Sequence, residues 1–207
     1  MPEKYKNLNE RNLIPEDMQN ALNNLGLDLK DFKGKVLDIG AGDIEILDYL
    51  NKNTEADIVG IDIHVPAELK DKLINADVRE LPFPDNTFDV SFSHASIPNV
   101  FIGEYSFEDP KVGEENIYNS TKKALSEIFR TLKSVGTAYL APIAMSELYD
   151  SEKAQKNSLE KVINELRLEN EDIQIDLNFI KTKTDEYNNE TRDYYRLVIH
   201  KIPNVKK

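Results

Sequence analysis

Lys35-Val-Leu-Asp-Ile-Gly-Ala-Gly-Asp43 is an apolar run ending in two closely spaced glycines, and Ile44, Leu47 and Leu50 continue it at helical spacing. Such a stretch reads as a strand, a tight turn and a helix in direct succession, the opening unit of a parallel α/β sheet. The same alternation extends outward from it. A second strand is expected over Ile58-Val-Gly-Ile-Asp62, a short helix over 67–73, a third edge strand over 74–78 and a fourth strand over Phe88-Asp-Val-Ser-Phe-Ser93. A helix over 115–133 carries Ile117, Thr121, Ala124, Ile128 and Leu132 on one face, and a fifth strand over 137–143 follows Gly136. A further helix bearing Leu159, Val162, Ile163 and Leu166 precedes two alternating strands, over 173–181 and 192–202, which the polar 185–190 connector joins as a hairpin. Upstream, Pro15 sits at a favourable first helical position, Met18, Leu22 and Leu25 follow at helical spacing, and Gly26 stops the helix. The expected fold is α/β and doubly wound, with a seven-stranded, mostly parallel sheet and an antiparallel C-terminal hairpin strand. The expected division is an N-terminal helical extension over 1–34 and one α/β domain over 35–207.

Composition narrows the function. With 207 residues, 40% hydrophobic and 31% charged, the chain has the make-up of a globular domain with a full core. It contains no cysteine, which excludes disulfides, thiolate zinc sites and a cysteine nucleophile. A net charge of −12 repels phosphate backbones and anionic lipid, and the longest basic clusters are only Lys122-Lys123 and Lys206-Lys207. Neither nucleic acid nor a membrane is therefore an expected partner. No apolar run approaches the roughly 18 residues of a membrane span, and the opening MPEKYKNLNERN lacks a signal-peptide core, so a cytoplasmic location is expected. His64, His94 and His200 are far apart and no ligand spacing links them, so no metal site is expected.

Open α/β sheets place ligands beyond the carboxyl ends of their strands, here just after Ile39, Ile61, Ala76 and Phe92. At the first end, Gly40 permits a tight turn and Gly42 lets a ligand approach the backbone. Asp38, Asp43 and Glu45 crowd that turn, where a pyrophosphate would need positive potential; they suit a cationic ligand instead. The dinucleotide pattern G-x-G-x-x-G also fails, because its last position is Glu45. Asp62 stands at the second end, where an acidic side chain accepts the hydroxyls of a ribose or else caps a helix. Asp77 follows the third, able to accept from the exocyclic amine of a base or to start a turn.

Together these segments resemble a family. Lys35-Val-Leu-Asp-Ile-Gly-Ala-Gly42, Val59-Gly-Ile-Asp62 and Ala76-Asp-Val-Arg-Glu-Leu-Pro-Phe-Pro-Asp-Asn-Thr-Phe-Asp-Val90 look like the successive motifs of class I S-adenosylmethionine-dependent methyltransferases. The Leu81 to Val90 run is similar to the small-molecule, type 11-like branch, and Ala124-Leu-Ser-Glu-Ile-Phe-Arg-Thr-Leu-Lys133 resembles the helix before the fifth strand, so the match covers 35–143. The resemblance implies a Rossmann-like fold, S-adenosylmethionine as cofactor and methyl transfer to a small-molecule acceptor. It implies that Asp38 helps hold the methionine ammonium, that Gly40 and Gly42 line methionine and ribose, and that Asp62 binds the ribose hydroxyls with Ile63 beside it. Asp77 and Val78 would meet the adenine, and Ser93 would complete the cofactor set. The competing function is a non-catalytic S-adenosylmethionine binder or interaction protein on the same fold. Three departures stand out: Ile44 replaces the usual third glycine, Lys133-Ser-Val-Gly136 replaces a proline and paired glycines, and the second crossover is short. Ile44 would set a β-branched side chain where backbone should pass close to the ligand.

Methyl transfer from a sulfonium depends on alignment, and a base is needed only for some acceptors. His94 is the candidate base, or else a hydrogen-bonded structural histidine. The 100–118 connector, with Phe101, Tyr105, Phe107 and Tyr118, is longer than usual and reads either as a lid or acceptor wall, with Tyr105 or Phe107 closing over the substrate, or as a surface loop whose aromatics pack on the sheet edge.

Overall fold

The computed structural model describes residues 14–42, 44–184 and 190–203. Asp43 and most of the 185–190 connector named above lie outside them. The strands are β1 (Lys35–Ile39), β2 (Asp57–Asp62), β3 (Leu73–Asn75), β4 (Phe88–His94), β5 (Leu132–Met145), β6 (Ile173–Thr184) and β7 (Thr191–Lys201), with helices α1 (Glu16–Leu25), α2 (Glu45–Asn53), α3 (Pro110–Thr131) and α4 (Asp150–Glu169). They form one seven-stranded sheet in the order β3-β2-β1-β4-β5-β7-β6. The β1, β2, β3, β4 and β5 pairings are parallel, and β7 runs antiparallel to both β5 and β6. The doubly wound expectation holds. Because the chain moves outward from β1 to β3 and returns to place β4 on the other side of β1, the reversal of strand order opens a crevice at the carboxyl ends of β1 and β4.

Side-chain alternation explains the two flanks. Val36 of β1 and Phe92 of β4 face one side, where Met18, Leu22 and Leu25 of α1 and Leu50 of α2 bury them. Leu37 and Ile39 face the other, under Ile117, Ala124 and Ile128 of α3 and Leu159 and Val162 of α4. Burying such side chains stabilises each by about 1.5–3 kcal/mol. The first helix begins one residue after the expected Pro15 start, with Pro15 as its cap, and ends at Gly26 in the left-handed region with φ 68°. Its last carbonyls are taken up by β7: Arg196 donates from Nε to Asn24 O at 2.7 Å and from Nη2 to Asn23 O at 2.9 Å.

Several expected boundaries move, each for a local reason. The 67–73 helix shrinks to a single 3-10 turn, Ala67–Leu69, and β3 is Leu73–Asn75 rather than 74–78 because the chain already turns at Asp77, with Glu80 N donating to Asp77 O at 3.0 Å. The fifth strand starts at Leu132, five residues early, directly from α3. Residues 133–136 are a bulge inside it, since pairing shifts from Phe88↔Leu132 to Val90↔Thr137 and Val135 takes φ 66°. The long 100–118 connector does not exist as such. A 3-10 segment, Asn99–Glu104, takes its first part, and α3 begins at Pro110, where Asp109 Oδ1 accepts from Lys111 N at 3.2 Å and Val112 N at 3.3 Å. Among the described residues, no helix is long and apolar enough to cross a membrane.

Candidate functional site

At the carboxyl end of β1 the backbone N–H groups of Gly40 and Ala41 both donate to Ile61 O, at 2.9 and 3.0 Å, which straps the glycine turn to the end of β2. Gly40 has φ 75°, and a Cβ placed on it would stand 2.3 Å from Ser96 Oγ, so the turn requires glycine on two counts. Asp62 shapes the same turn from the neighbouring strand. Its Oδ2 accepts from Gly42 N at 3.0 Å and its Oδ1 from His64 N at 2.9 Å.

Asp38 lies beneath this turn and is only 3% exposed. None of the described residues gives its Oδ2 a hydrogen bond. Burial, with a smaller push from the Asp62 carboxylate, raises its pKa from the ordinary 3.8 to about 8. A carboxyl that is both buried and half unsatisfied is costly unless something cationic completes it. Its free oxygen is an acceptor for a cationic donor group.

Beside the turn opens a cavity of about 380 Å³. Gly40, Asp62, Ile63, Asp77 and Val78 line it from the sheet side, joined by Ser96, Ile97, Val100 and Phe101 from the segment after β4. Its walls are thus apolar around the carboxylates of Asp62, Asp77 and Glu104, which is the make-up of a small-molecule site. Grooves of similar volume, about 410 Å³ between α3 and α4 and about 400 Å³ near the start of β7, lie away from the crevice where the strand order reverses.

Of the residues named from sequence, Gly40, Asp62, Ile63, Asp77 and Val78 line the cavity, while Gly42 belongs to the turn and Asp38 to β1 beneath it. Ser93 does not face it. Ser93 is fully buried beneath the segment that follows β4, where its Oγ accepts from Ile97 N at 3.0 Å; the serine that lines the cavity is Ser96. Nor does Ile44 line the cavity. It holds φ 64° at the head of α2, and its side chain packs away from the cavity against Leu47 and Leu73. His94 is half-buried, burial keeps its imidazole below its ordinary value, and its Nε2 accepts from Asn24 Nδ2 of α1 at 3.3 Å.

The aromatics of the expected lid separate. Phe101 is buried and lines the cavity, Tyr105 is buried in the core, and Phe107 is 80% exposed, edge-on to Tyr105. Tyr118 sits on α3 and donates its hydroxyl to Glu165 of α4 at 2.7 Å, so neither it nor Phe107 closes the cavity. Arg79 and Glu104 are among the cavity residues that sequence reading did not single out. Arg79 binds Asp77 through Nε, at 3.0 Å to both carboxylate oxygens, and through Nη2 at 2.6 Å, and it reaches Glu104 Oε1 through Nη1 at 2.8 Å. The available signal was Glu104 itself, a lone acid amid the apolar 97–105 stretch.

The profile of the methyltransferase-domain family matches residues 37–140, half of the chain. No curated protein matches the sequence. Among solved structures, an S-adenosylmethionine-dependent methyltransferase from Methanosarcina mazei is similar at a TM-score of 0.56 and 16% identity, covering 92% of this chain and 99% of that one. Phosphoethanolamine N-methyltransferase 2 of Haemonchus contortus, in complex with S-adenosyl-L-methionine, is similar at 0.55 and 14% identity over 90% of this chain and 52% of that one. The [4+2]-cyclase SpnF is similar at 0.55 and 16% identity, covering 89% and 79%, so the fold carries more than one chemistry. The family profile runs from β1 into β5, through every strand end that borders the cavity, and the chain belongs to the class I S-adenosylmethionine-dependent methyltransferases of the methyltransferase-domain family.

Proposed function

We propose that the protein transfers a methyl group from S-adenosylmethionine to a small-molecule acceptor, with the donor held in the cavity beside Gly40. The observation that carries the placement is the buried, half-unsatisfied carboxyl of Asp38 under the glycine turn. Asp38 receives the methionine ammonium, the bare backbone at Gly40 and Gly42 lets the chain of the donor pass, and Asp62 accepts from the ribose hydroxyls with the lone pairs that Gly42 N and His64 N leave free. Ile63, Val78, Ile97 and Phe101 enclose the base, and Asp77 accepts from its exocyclic amine. S-adenosylmethionine supplies a methyl on a sulfonium, an already activated leaving group, so the protein's contribution is alignment and exclusion of water. A small acceptor fits the acidic surface, net charge −12, which disfavours polyanionic substrates. Asn24 Nδ2 stands 3.3 Å from Nε2 of His94 and occupies that ring nitrogen. A base role for His94 therefore requires Asn24 to yield Nε2 to the acceptor.

Calorimetric titration with S-adenosylmethionine, S-adenosylhomocysteine and NAD tests this. Both sulfur ligands are expected to bind and NAD not to; failure of both sulfur ligands removes the proposal. A metabolite screen for methylated products then identifies the acceptor, and tight donor binding without any product favours a binding role on the same fold.

A further inference from the structure

Four side chains fasten the far end of the cavity. Asp77, in the turn after β3, grips Arg79 through Nε and Nη2, with contacts of 2.6 to 3.0 Å. Arg79 Nη1 spans to Glu104 Oε1 at 2.8 Å and to Ser120 Oγ of α3 at 3.1 Å, and Ser120 Oγ donates to Glu104 Oε2 at 2.5 Å. Glu104 ends the 3-10 segment Asn99–Glu104, which supplies Val100 and Phe101 to the cavity wall, and the guanidinium carbon of Arg79 lies 6.0 Å from the centre of the Phe101 ring. One cation thus sits between two carboxylates, one from each side of the cavity. All three are about one-third exposed, so solvent weakens each pair taken singly, but the shared fork geometry couples them.

We propose that Arg79 is a positioning residue for the adenine end of the donor site: it latches the Asn99–Glu104 wall to the turn after β3 and holds the Asp77 carboxylate in the orientation that reads the base. The latch rests on the donor site proposed above and deepens it. Without the Arg79 side chain, Glu104 loses its cation and keeps only its bond to Ser120 of α3, while Asn99 still ties the other end of the wall to β5; Asp77 retains only the backbone N–H of residue 79, on Oδ1. The base would then be gripped less tightly and recognised less selectively. Arg79 touches no reacting atom in this account; its effect passes through Asp77 and Phe101.

The test compares the parent chain with Arg79→Met and Glu104→Gln by calorimetry, using S-adenosylhomocysteine and its analogue in which the exocyclic amine of the base is replaced by an oxo group. The parent is expected to prefer the amine. Arg79→Met is expected to bind S-adenosylhomocysteine roughly ten- to thirty-fold more weakly, the loss typical of a charge-assisted contact, and to lose most of the amine-over-oxo preference. Glu104→Gln, which keeps the Asp77–Arg79 pair, is expected to weaken both ligands alike by a smaller factor. A purely structural role would lower the thermal midpoint and leave the preference intact, and that result overturns the latch. Should Arg79→Met fail to fold, Glu104→Gln decides alone, and unchanged affinity there overturns it. Absence of binding by the parent overturns the donor site and the latch together, whereas a binding parent with unaltered variants overturns only the latch.

Discussion

Replacing Asp38 by asparagine keeps the shape of a buried side chain while removing its titration. In the folded protein the carboxyl is raised by burial, and secondarily by Asp62, from 3.8 to about 8. Between those two values the unfolded chain has given up a proton that the folded chain retains, so raising the pH pulls the equilibrium toward unfolding. The stabilising contribution is fully present below about pH 4, falls by about 1.4 kcal/mol per pH unit and is gone once the pH exceeds the folded value, a total on the order of 5 kcal/mol. Urea unfolding of parent and Asp38→Asn at pH 5, 6 and 7 should therefore show the stability difference moving in favour of the variant by roughly 3 kcal/mol across the series. Taking the difference cancels His94 and the paired carboxylates common to both chains. The donor reverses the balance, since an ammonium completing Oδ2 favours the ionised carboxylate. Binding at pH 7 should then release close to one proton, read by calorimetry in two buffers of different ionisation enthalpy, and the variant should release none and bind about tenfold or more weakly. A stability difference that stays flat with pH refutes the buried-acid account, and donor binding by the parent without proton release refutes the ammonium contact.

Asp62→Ala is expected to weaken S-adenosylmethionine binding by roughly 1–3 kcal/mol in a calorimetric titration, and unchanged affinity in a folded variant takes Asp62 out of the site. Gly40→Ala, at φ 75° and 2.3 Å from Ser96 Oγ, should lose about 1–2 kcal/mol of stability to the left-handed backbone as well as donor affinity. Adding Ser96→Gly should restore the affinity but not the stability, as denaturant titration beside calorimetry would reveal. Ile44→Gly relieves a strained φ of 64° worth about 1–2 kcal/mol but empties a buried site against Leu47 and Leu73 worth roughly 2–5 kcal/mol. The variant should be less stable in urea, with donor affinity unchanged, although it restores the glycine usual in the family.

What the sequence displays and what it hides divide along the range of the interactions involved. The glycine turn, Asp38 and Asp62 were legible because a strand, its terminal residue and the turn that follows are set by neighbours in the chain, and the sheet brings their ends together in parallel register, Asp38↔Gly60 being one pair. Ser93 does not border the cavity because the chain folds back over it beyond His94, Ile97 N reaching its Oγ, and this turn, which no local pattern announces, presents Ser96 instead. The lid was misjudged although Asp109-Pro110 is a helix-start signal visible in the sequence; with α3 begun there, Tyr118 is carried to α4 and only Phe101 is left at the cavity. Arg79 and Glu104 are 25 positions apart, and no local pattern announces that pair. Ile44 looked like an obstruction because a motif records which residue is usual, whereas the direction of the side chain follows from the hydrophobic patch behind the turn.

The order β5-β7-β6 has a consequence for how the chain is made. β6 leaves the ribosome before β7, yet it reaches the sheet only through β7, the inner strand of their hairpin, whose other edge must dock on β5. Until then β5 keeps an open edge, a template for pairing with another nascent copy. The earliest helix waits as well, for the carbonyls at the end of α1 are satisfied by Arg196, 172 positions downstream of Asn24. Synthesis thus keeps its first and last elements unfinished together, and slow translation through β7 would prolong the interval in which aggregation competes with folding.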